Sequence, residues 1–149
     1  HPLALSHGLG AGFSAEFDWT GTRDFTAALS APAGIACHAA FGGPALMARN
    51  AALARTAATG LAAAWRSELG GPPETFAAMA VVRLPLAGEA SASRAVALCR
   101  WLATAHRIEV AVNAVDGALW LRISAQAYND LADYELLGQV LAQPSGDMP

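Results

Sequence analysis

Apolar positions along the chain change their spacing several times, and each change marks an element. Residues 1–23 show few periodic apolar positions and many breakers, with Gly8, Gly10 and Gly12 close together ahead of Phe13, Phe17 and Trp19. A loop-rich opening segment is expected there. Asp24 is placed to cap a helix starting at Phe25, its carboxylate accepting an early backbone N–H. This alanine-rich helix should end near Gly42-Gly43, and Pro44 suits the first turn of the next one. From 44 to 69, Leu61, Trp65 and Leu69 recur at four-residue steps, with Leu46 and Leu53 on earlier turns, which is the spacing of one helix face. Gly70-Gly71-Pro72-Pro73 stops that pattern. Phe76 to Leu84 is a short valine-rich run closed by Pro85, and its length favours a buried strand. Ser91 or Ser93 can cap a further helix over about 92–105, where Val96, Cys99, Ala103 and His106 share a face.

The period then shortens to two. Ile108, Val110 and Val112 alternate with Glu109, Ala111 and Asn113, and Leu119, Leu121 and Ile123 alternate with Trp120, Arg122 and Ser124. Between them Asp116-Gly117 is a strong two-residue hairpin turn. With that turn Val115 pairs with Ala118, Val112 with Leu121 and Val110 with Ile123, so the two apolar sets fall on one face without a slip. The other face pairs Asn113 with Trp120, Ala111 with Arg122 and Glu109 with Ser124. A last helix is expected over about 130–142, followed by a frayed tail from Pro144.

The order α-α-β-α-β-β-α reads as an α/β (α+β) fold: a small sheet including a 108–123 β-hairpin, with helices packed against it. No repeat or linker argues for separate domains. The expected organisation is a loop-rich segment 1–23, connecting helices 24–75 and a C-terminal small domain 76–149, forming one compact unit.

Composition narrows the function. The 149 residues are 54% hydrophobic and about a quarter alanine, and only 14% are charged, against a usual ~25%. A chain of this length buries roughly 70% of the surface its unfolded form exposes. So little charge leaves surface suited to being covered by another domain or subunit. All nine basic residues are arginine and the net charge is −3, which speaks against nucleic acid as a partner. Phe25 to Ala48 carries no acidic or basic residue apart from His38. Its prolines, glycines and small side chains argue against a membrane span. Two cysteines, Cys37 and Cys99, make no disulfide framework and suit a reducing compartment. There is no signal-peptide pattern at the start. A cytoplasmic setting is expected.

Metal ligation has no support, because His1, His7, His38, His106, Cys37 and Cys99 make no CxxC or HxxxH spacing. No GxSxG nucleophile motif is present. Two positions remain. Arg122 sits between Leu121 and Ile123 on the hairpin face away from the core. There a guanidinium can grip a carboxylate bidentately, or can simply extend into solvent or a structural ion pair. Gly21-Thr22 precedes a helix start, where a hydroxyl and free N–H groups can bind phosphate, or Thr22 and Asp24 can merely cap the helix.

At these two places the chain resembles a known family. Phe17-Asp18-Trp19-Thr20-Gly21-Thr22-Arg23-Asp24, with Ser6-His7-Gly8 ahead of it, is similar to a segment of class V aminotransferase-like enzymes, most of all their isopenicillin N epimerase-like branch. Leu121-Arg122-Ile123-Ser124 followed by Tyr128-Asn129 resembles a later segment of that family. Met79 to Pro85 resembles the strand that opens its C-terminal small domain.

The resemblance implies dependence on pyridoxal phosphate, a fold-type I small domain and a homodimer acting on a small amino-acid substrate. It implies that Arg122 binds the substrate α-carboxylate, and that Thr22, following Gly21, reaches the cofactor phosphate of the neighbouring subunit. His7, Arg23, Tyr128 and Asn129 match the motifs without an assigned role. The Schiff-base lysine of the family lies upstream of the Ser6-His7-Gly8 segment, and this chain has no lysine. It is therefore expected to be a C-terminal fragment that needs a missing N-terminal large domain and to be inactive alone, with no catalytic residue of its own. Epimerase (isomerase), aminotransferase (transferase), desulfurase and lyase chemistry stay open. So does a rival of another class: a non-catalytic α/β interaction module that keeps the small-domain fold and binds no cofactor.

Overall fold

A computed structural model describes residues 7–18, 21–142 and 148–149. Ser6, Trp19 and Thr20 of the motifs, and 144–147 of the expected tail, lie outside the described residues. The chain divides into two compact units, His1–Ala40 and Phe41–Pro149. The first holds α1 (Phe13–Phe17) and α2 (Thr26–Ala40). The second holds α3 (Pro44–Trp65), β1 (Met79–Arg83), α4 (Ala92–His106), β2 (Ala111–Val115), β3 (Ala118–Ser124) and α5 (Leu131–Ala142).

The second unit is built on an antiparallel sheet of order β1-β3-β2. Asp116 and Gly117 both have positive φ, 47° and 72°, as a turn matching the twist of two adjacent strands requires. The resulting register pairs Ala111 with Arg122, Val112 with Leu121, Asn113 with Trp120 and Val115 with Ala118, as the alternation predicts. On the far side of β3, Val81 pairs with Arg122 and Val82 with Leu121. One sheet face is therefore apolar: Ala80, Val82, Val112, Leu119, Leu121 and Ile123 are buried in a core with Leu61 and Trp65 of α3, Leu98 and Leu102 of α4, and Leu137 and Leu141 of α5. The helices cover this face only.

Several boundaries differ from the sequence reading, each for a physical reason. The helix expected to reach 69 stops at Trp65, where Arg66 turns left-handed (φ 50°) and its N–H bonds back into the last turn. Leu69 keeps the helical spacing but pairs with Val82 as a β-bridge. Glu68 and Gly70 exchange backbone bonds with Arg83 and Val81 at 2.9 and 2.8 Å, so residues 67–70 run as a short ribbon along β1. The strand expected over 76–84 shrinks to 79–83, because Pro73–Thr75 form a 3-10 turn before it. It alternates between a buried and an open face instead of being buried on both.

The hairpin begins at Ala111, not Ile108, and ends at Ser124. The Ile108 N–H closes the end of α4 on Leu102 O at 3.0 Å, so the expected pairs Val110–Ile123 and Glu109–Ser124 lie beyond the ladder. Ser91 is the cap of α4, accepting from the Arg94 N–H. The face that α4 buries is Ala95, Leu98 and Leu102, one position off the expected Val96, Cys99, Ala103 and His106; Val96 is 59% exposed. The helix expected to act as a connector, α3, supplies much of the core and belongs with the sheet. Of the expected frayed tail, Met148 packs against the core, and Pro149 O accepts from Arg94 Nε at 3.4 Å.

In the first unit, the opening segment contains one short helix, α1, whose Phe13 and Phe17 rings lie 4.9 Å apart. Asp24 acts at the start of α2 by accepting from both the hydroxyl and the N–H of Thr26. These two bonds hold its carboxyl below the ordinary carboxylate range. A depressed folded-state pKa contributes stability above the ordinary value and loses it as pH falls through the lowered one. The helical signal of Thr26–Leu29, followed by NMR carbon shifts, should therefore decline only as pH drops below about 4. In Asp24→Ala it should show no such step, and an identical step in that variant would exclude the cap.

No residue of α2 is buried, and Phe13, Leu29 and Ile35 are 80%, 78% and 71% exposed. A helix with no buried residue and several large apolar side chains in water is suited to being covered by a partner. Sedimentation velocity of the full chain is expected to show self-association rising with concentration; a single monomeric boundary at high concentration would contradict this.

Candidate functional site

Arg122 stands at the middle of the central strand, on the sheet face that α3, α4 and α5 leave open. Its neighbours in the chain, Leu121 and Ile123, are buried at 0% and 1% exposure, and they pin the backbone to the core. Its cross-strand neighbours are Ala111 on one side and Val81 on the other, both shorter than the guanidinium they flank. Among the described residues the Arg122 guanidinium has no hydrogen-bond or ion-pair partner. Arg83, two residues along β1, is by contrast held by Glu68 at 2.8 Å. An exposed arginine with no partner among the described residues, on a backbone locked from both edges, is a cation of fixed origin on the sheet and open to a ligand.

Two depressions meet at this side chain. One, of about 570 Å³, runs over the open sheet face past Val81, Asn113 and Trp120. The other, of about 840 Å³, lies between the hairpin and the start of α5, and its walls include Ser124, Tyr128, Asn129 and Asp133. The residues of the Arg122–Asn129 motif, separate along the sequence, thus line one cavity.

The turn that follows β3 explains part of that motif. Asn129 Oδ1 accepts from the Gln126 N–H at 3.0 Å, and its Nδ2 donates to Asp133 at 3.1 Å. Asp133 also accepts from the Asp130 N–H while Asp130 caps Ala132, a reciprocal capping arrangement. Asn129 is therefore a turn organiser. Tyr128 is 85% exposed at the cavity edge, and Tyr134 below it donates to Ser124 O at 2.8 Å. Burial, and then the neighbouring Asp133 carboxylate, push the Tyr134 phenol up from its ordinary value, so it stays a donor.

The sequence reading missed the other side of this turn. Arg49, in the first turns of α3, donates from Nη1 to Gln126 O at 3.2 Å and from Nη2 to Asn129 O at 2.7 Å. Asn50, buried at 5% exposure, donates to Gln126 Oε1 at 3.2 Å. Adjacent Arg-Asn at a helix start was the available signal, but its partners lie more than seventy residues away.

Gly21 and Thr22 belong to the first unit. Gly21 has φ 94°, and Thr22 is exposed in a bend four residues before α2. The start of α2 is served by Asp24, so Thr22 is not its cap. The Thr22 hydroxyl makes no hydrogen bond to another described residue, and Arg23 bonds Asp18 O at 3.2 Å and lies 5.7 Å from the Phe25 ring centre. A hydroxyl and open backbone N–H groups fit a phosphate, and Arg122 fits a carboxylate. Nothing in the chain fits the covalent attachment of pyridoxal phosphate, since no lysine is present. Among the described residues no cluster of His, Cys, Asp or Glu could hold a metal ion, and no helix is long and apolar enough to cross a membrane.

The site is thus a small α+β unit presenting two guanidinia from its open sheet face, Arg83 paired with Glu68 and Arg122 unpaired among the described residues. Comparison with curated proteins gives it relatives. The chain is 33% identical over 148 residues to a probable chloroplastic L-cysteine desulfhydrase of Arabidopsis thaliana, covering 92% of this chain and 31% of that protein. It is 31% identical over 161 residues to an L-cysteine desulfhydrase of the same plant, covering 96% and 35%. It is 32% identical over 158 residues to a putative L-cysteine desulfhydrase of Oryza sativa subsp. japonica, covering 92% and 32%. The chain spans about a third of the length of the curated relatives it matches. No protein-family profile matches it. The relatives are desulfhydrases, so the likeness does not support the narrower expectation of the isopenicillin N epimerase-like branch.

Proposed function

We propose that this chain is the C-terminal portion of a homodimeric, pyridoxal-phosphate-dependent enzyme that acts on an amino acid, with desulfhydration of L-cysteine the favoured reaction. The observation that carries the reading is the unpaired Arg122 guanidinium on the locked central strand, in a chain matched over more than nine-tenths of its length by proteins named L-cysteine desulfhydrase. Arg122 holds the substrate α-carboxylate and fixes how the rest of the amino acid is presented. Thr22 and the Gly21 backbone contact the cofactor phosphate across the dimer. Pyridoxal phosphate, when bound, supplies the electron sink for bond breaking at the amino acid. Residues 1–23 close a large domain, and 76–149 with α3 form the small domain. Free Cys37 and Cys99 are in keeping with a reducing, cytoplasmic compartment.

The test compares two proteins. The 149-residue chain alone, mixed with pyridoxal phosphate and reduced with borohydride, should carry no pyridoxyl group at an internal residue. The longer protein, with upstream sequence of the length its relatives imply, should retain the cofactor and release sulfide from L-cysteine. In that protein Thr22→Ala should weaken cofactor retention about tenfold or more, the effect of losing a hydrogen bond to a charged group of about 1.5–3 kcal/mol. Full retention with an intact fold would remove Thr22 from the site. A longer protein that neither holds the cofactor nor releases sulfide would leave the chain as an α/β interaction module.

A further inference from the structure

The contacts of Arg49 and Asn50 reach beyond the proposed site while resting on it. Arg49 spans two carbonyls of one turn, Gln126 O and Asn129 O, at 3.2 and 2.7 Å. Asn50 takes the Gln126 side chain at 3.2 Å from a buried position. Gln126 Oε1 also accepts from the Ala127 N–H at 2.8 Å. The four-residue turn Gln126–Asn129 is thereby tied at both ends to the first turns of α3. The same turn forms a wall of the 840 Å³ cavity that Arg122 lines, with Tyr128 at its exposed edge.

Beyond its own short-range bonds, the turn is tied to α5 by Asn129 Nδ2 donating to Asp133 at 3.1 Å, and the Ala125 N–H just before it bonds Ala78 O at 2.7 Å. The Asn129 N–H donates to Gln126 O at 3.0 Å and the Gln126 N–H to Asn129 Oδ1 at 3.0 Å. Both fix the turn's internal shape. Neither ties the turn to α3; Arg49 and Asn50 do that, and α3 is anchored in the core through Leu61 and Trp65.

We infer that Arg49 and Asn50 are positioning residues for substrate binding: they hold the Gln126–Asn129 turn as the wall against which the amino acid seats when Arg122 grips its carboxylate. Removing the clamp should loosen seating of the bound substrate more than it alters the chemistry, since small displacements of a binding wall cost affinity directly.

Two measurements test this. In the full 149-residue chain, amide hydrogen exchange at Gln126 and Asn129 should quicken about tenfold in Arg49→Gln, while Leu121 and Ile123 keep wild-type protection. In the longer enzyme, Arg49→Gln should raise KM for L-cysteine about three- to tenfold, the effect of one or two neutral-scale hydrogen bonds, with kcat within about twofold. Arg49→Lys, which can still reach one carbonyl, should recover part of the KM. Asn50→Ala, should Arg49→Gln misfold, gives a second reading of the same clamp.

Unchanged exchange, or quickened exchange with unchanged KM, would overturn the inference. So would kcat and KM worsening together alongside faster exchange at Leu121 and Ile123, which is the mark of general destabilisation. Arg122→Ala in the same assay separates the two ideas. If it affects KM and Arg49→Gln does not, the clamp fails and the site stands; if Arg122→Ala has no effect, the site fails and the clamp falls with it.

Discussion

Arg122→Ala is expected to lower kcat/KM for the amino-acid substrate about thirtyfold to several thousandfold, the kinetic equivalent of removing one partner of a desolvated charge pair worth roughly 2–5 kcal/mol. The fold itself should be spared. Arg122 is exposed, it touches no partner among the described residues, and its strand is held by Leu121 and Ile123 on the opposite face. Arg122→Lys should rescue poorly, because an ammonium keeps the charge and loses the two-pronged geometry of the guanidinium. The control is an amine lacking the carboxylate, which should be nearly indifferent to the substitution. Equal losses for the carboxylate and decarboxylated substrates would make Arg122 a structural residue.

The second large effect is on stability. Leu121 is fully buried at the centre of the sheet and pairs with Val82 on one side and Val112 on the other. Leu121→Ala should cost about 2–5 kcal/mol through lost burial and the cavity left behind. That shifts a urea midpoint by at least about 1 M for a domain of this size. Val115→Ala, at a half-exposed strand end, should move the midpoint little. A Leu121→Ala midpoint as close to wild type as that of Val115→Ala would show that the core is not centred on this strand.

The hairpin was legible because two independent signals agreed. Asp116-Gly117 demanded a two-residue turn, and strict alternation on either side allowed only one register that put Leu119, Leu121 and Ile123 together. The end of α3 was not legible, because Leu69 satisfies the helical period while its backbone belongs to a ribbon along β1. Four-residue spacing says where a side chain would point in a helix; it does not say whether a left-handed residue such as Arg66 has already ended it. The buried face of α4 was blurred by alanine. When Ala95 and Ala103 are both small, the face is chosen by Leu98 and Leu102 meeting the sheet, which is a tertiary fact.

For the site, Arg122 stood out as a charge among alternating apolar residues, and Tyr128-Asn129 stood out only through resemblance. The structure separates those last two, with Asn129 spent on the turn and Tyr128 left at the cavity edge. Arg49 and Asn50 could not be found from the sequence. Their partners are backbone carbonyls and an amide far along the chain, and no local pattern announces an acceptor of that kind.

The left-handed pair at Asp116-Gly117 also governs which length changes this chain can tolerate over evolution. One residue added there, when taken up by the ladder and not by a longer loop, would slide β3 by a single position against β2. Since side chains alternate across a strand, the slide would turn the guanidinium of Arg122 into the apolar layer and Leu121 out to water. The segment between β1 and α4 carries no such constraint: Ala87, Gly88 and Glu89 are exposed, and added length in a surface loop raises the closure cost only slowly. Insertions among descendants of this sequence should accumulate in that segment, leaving the two-residue turn fixed in length even where its residues change.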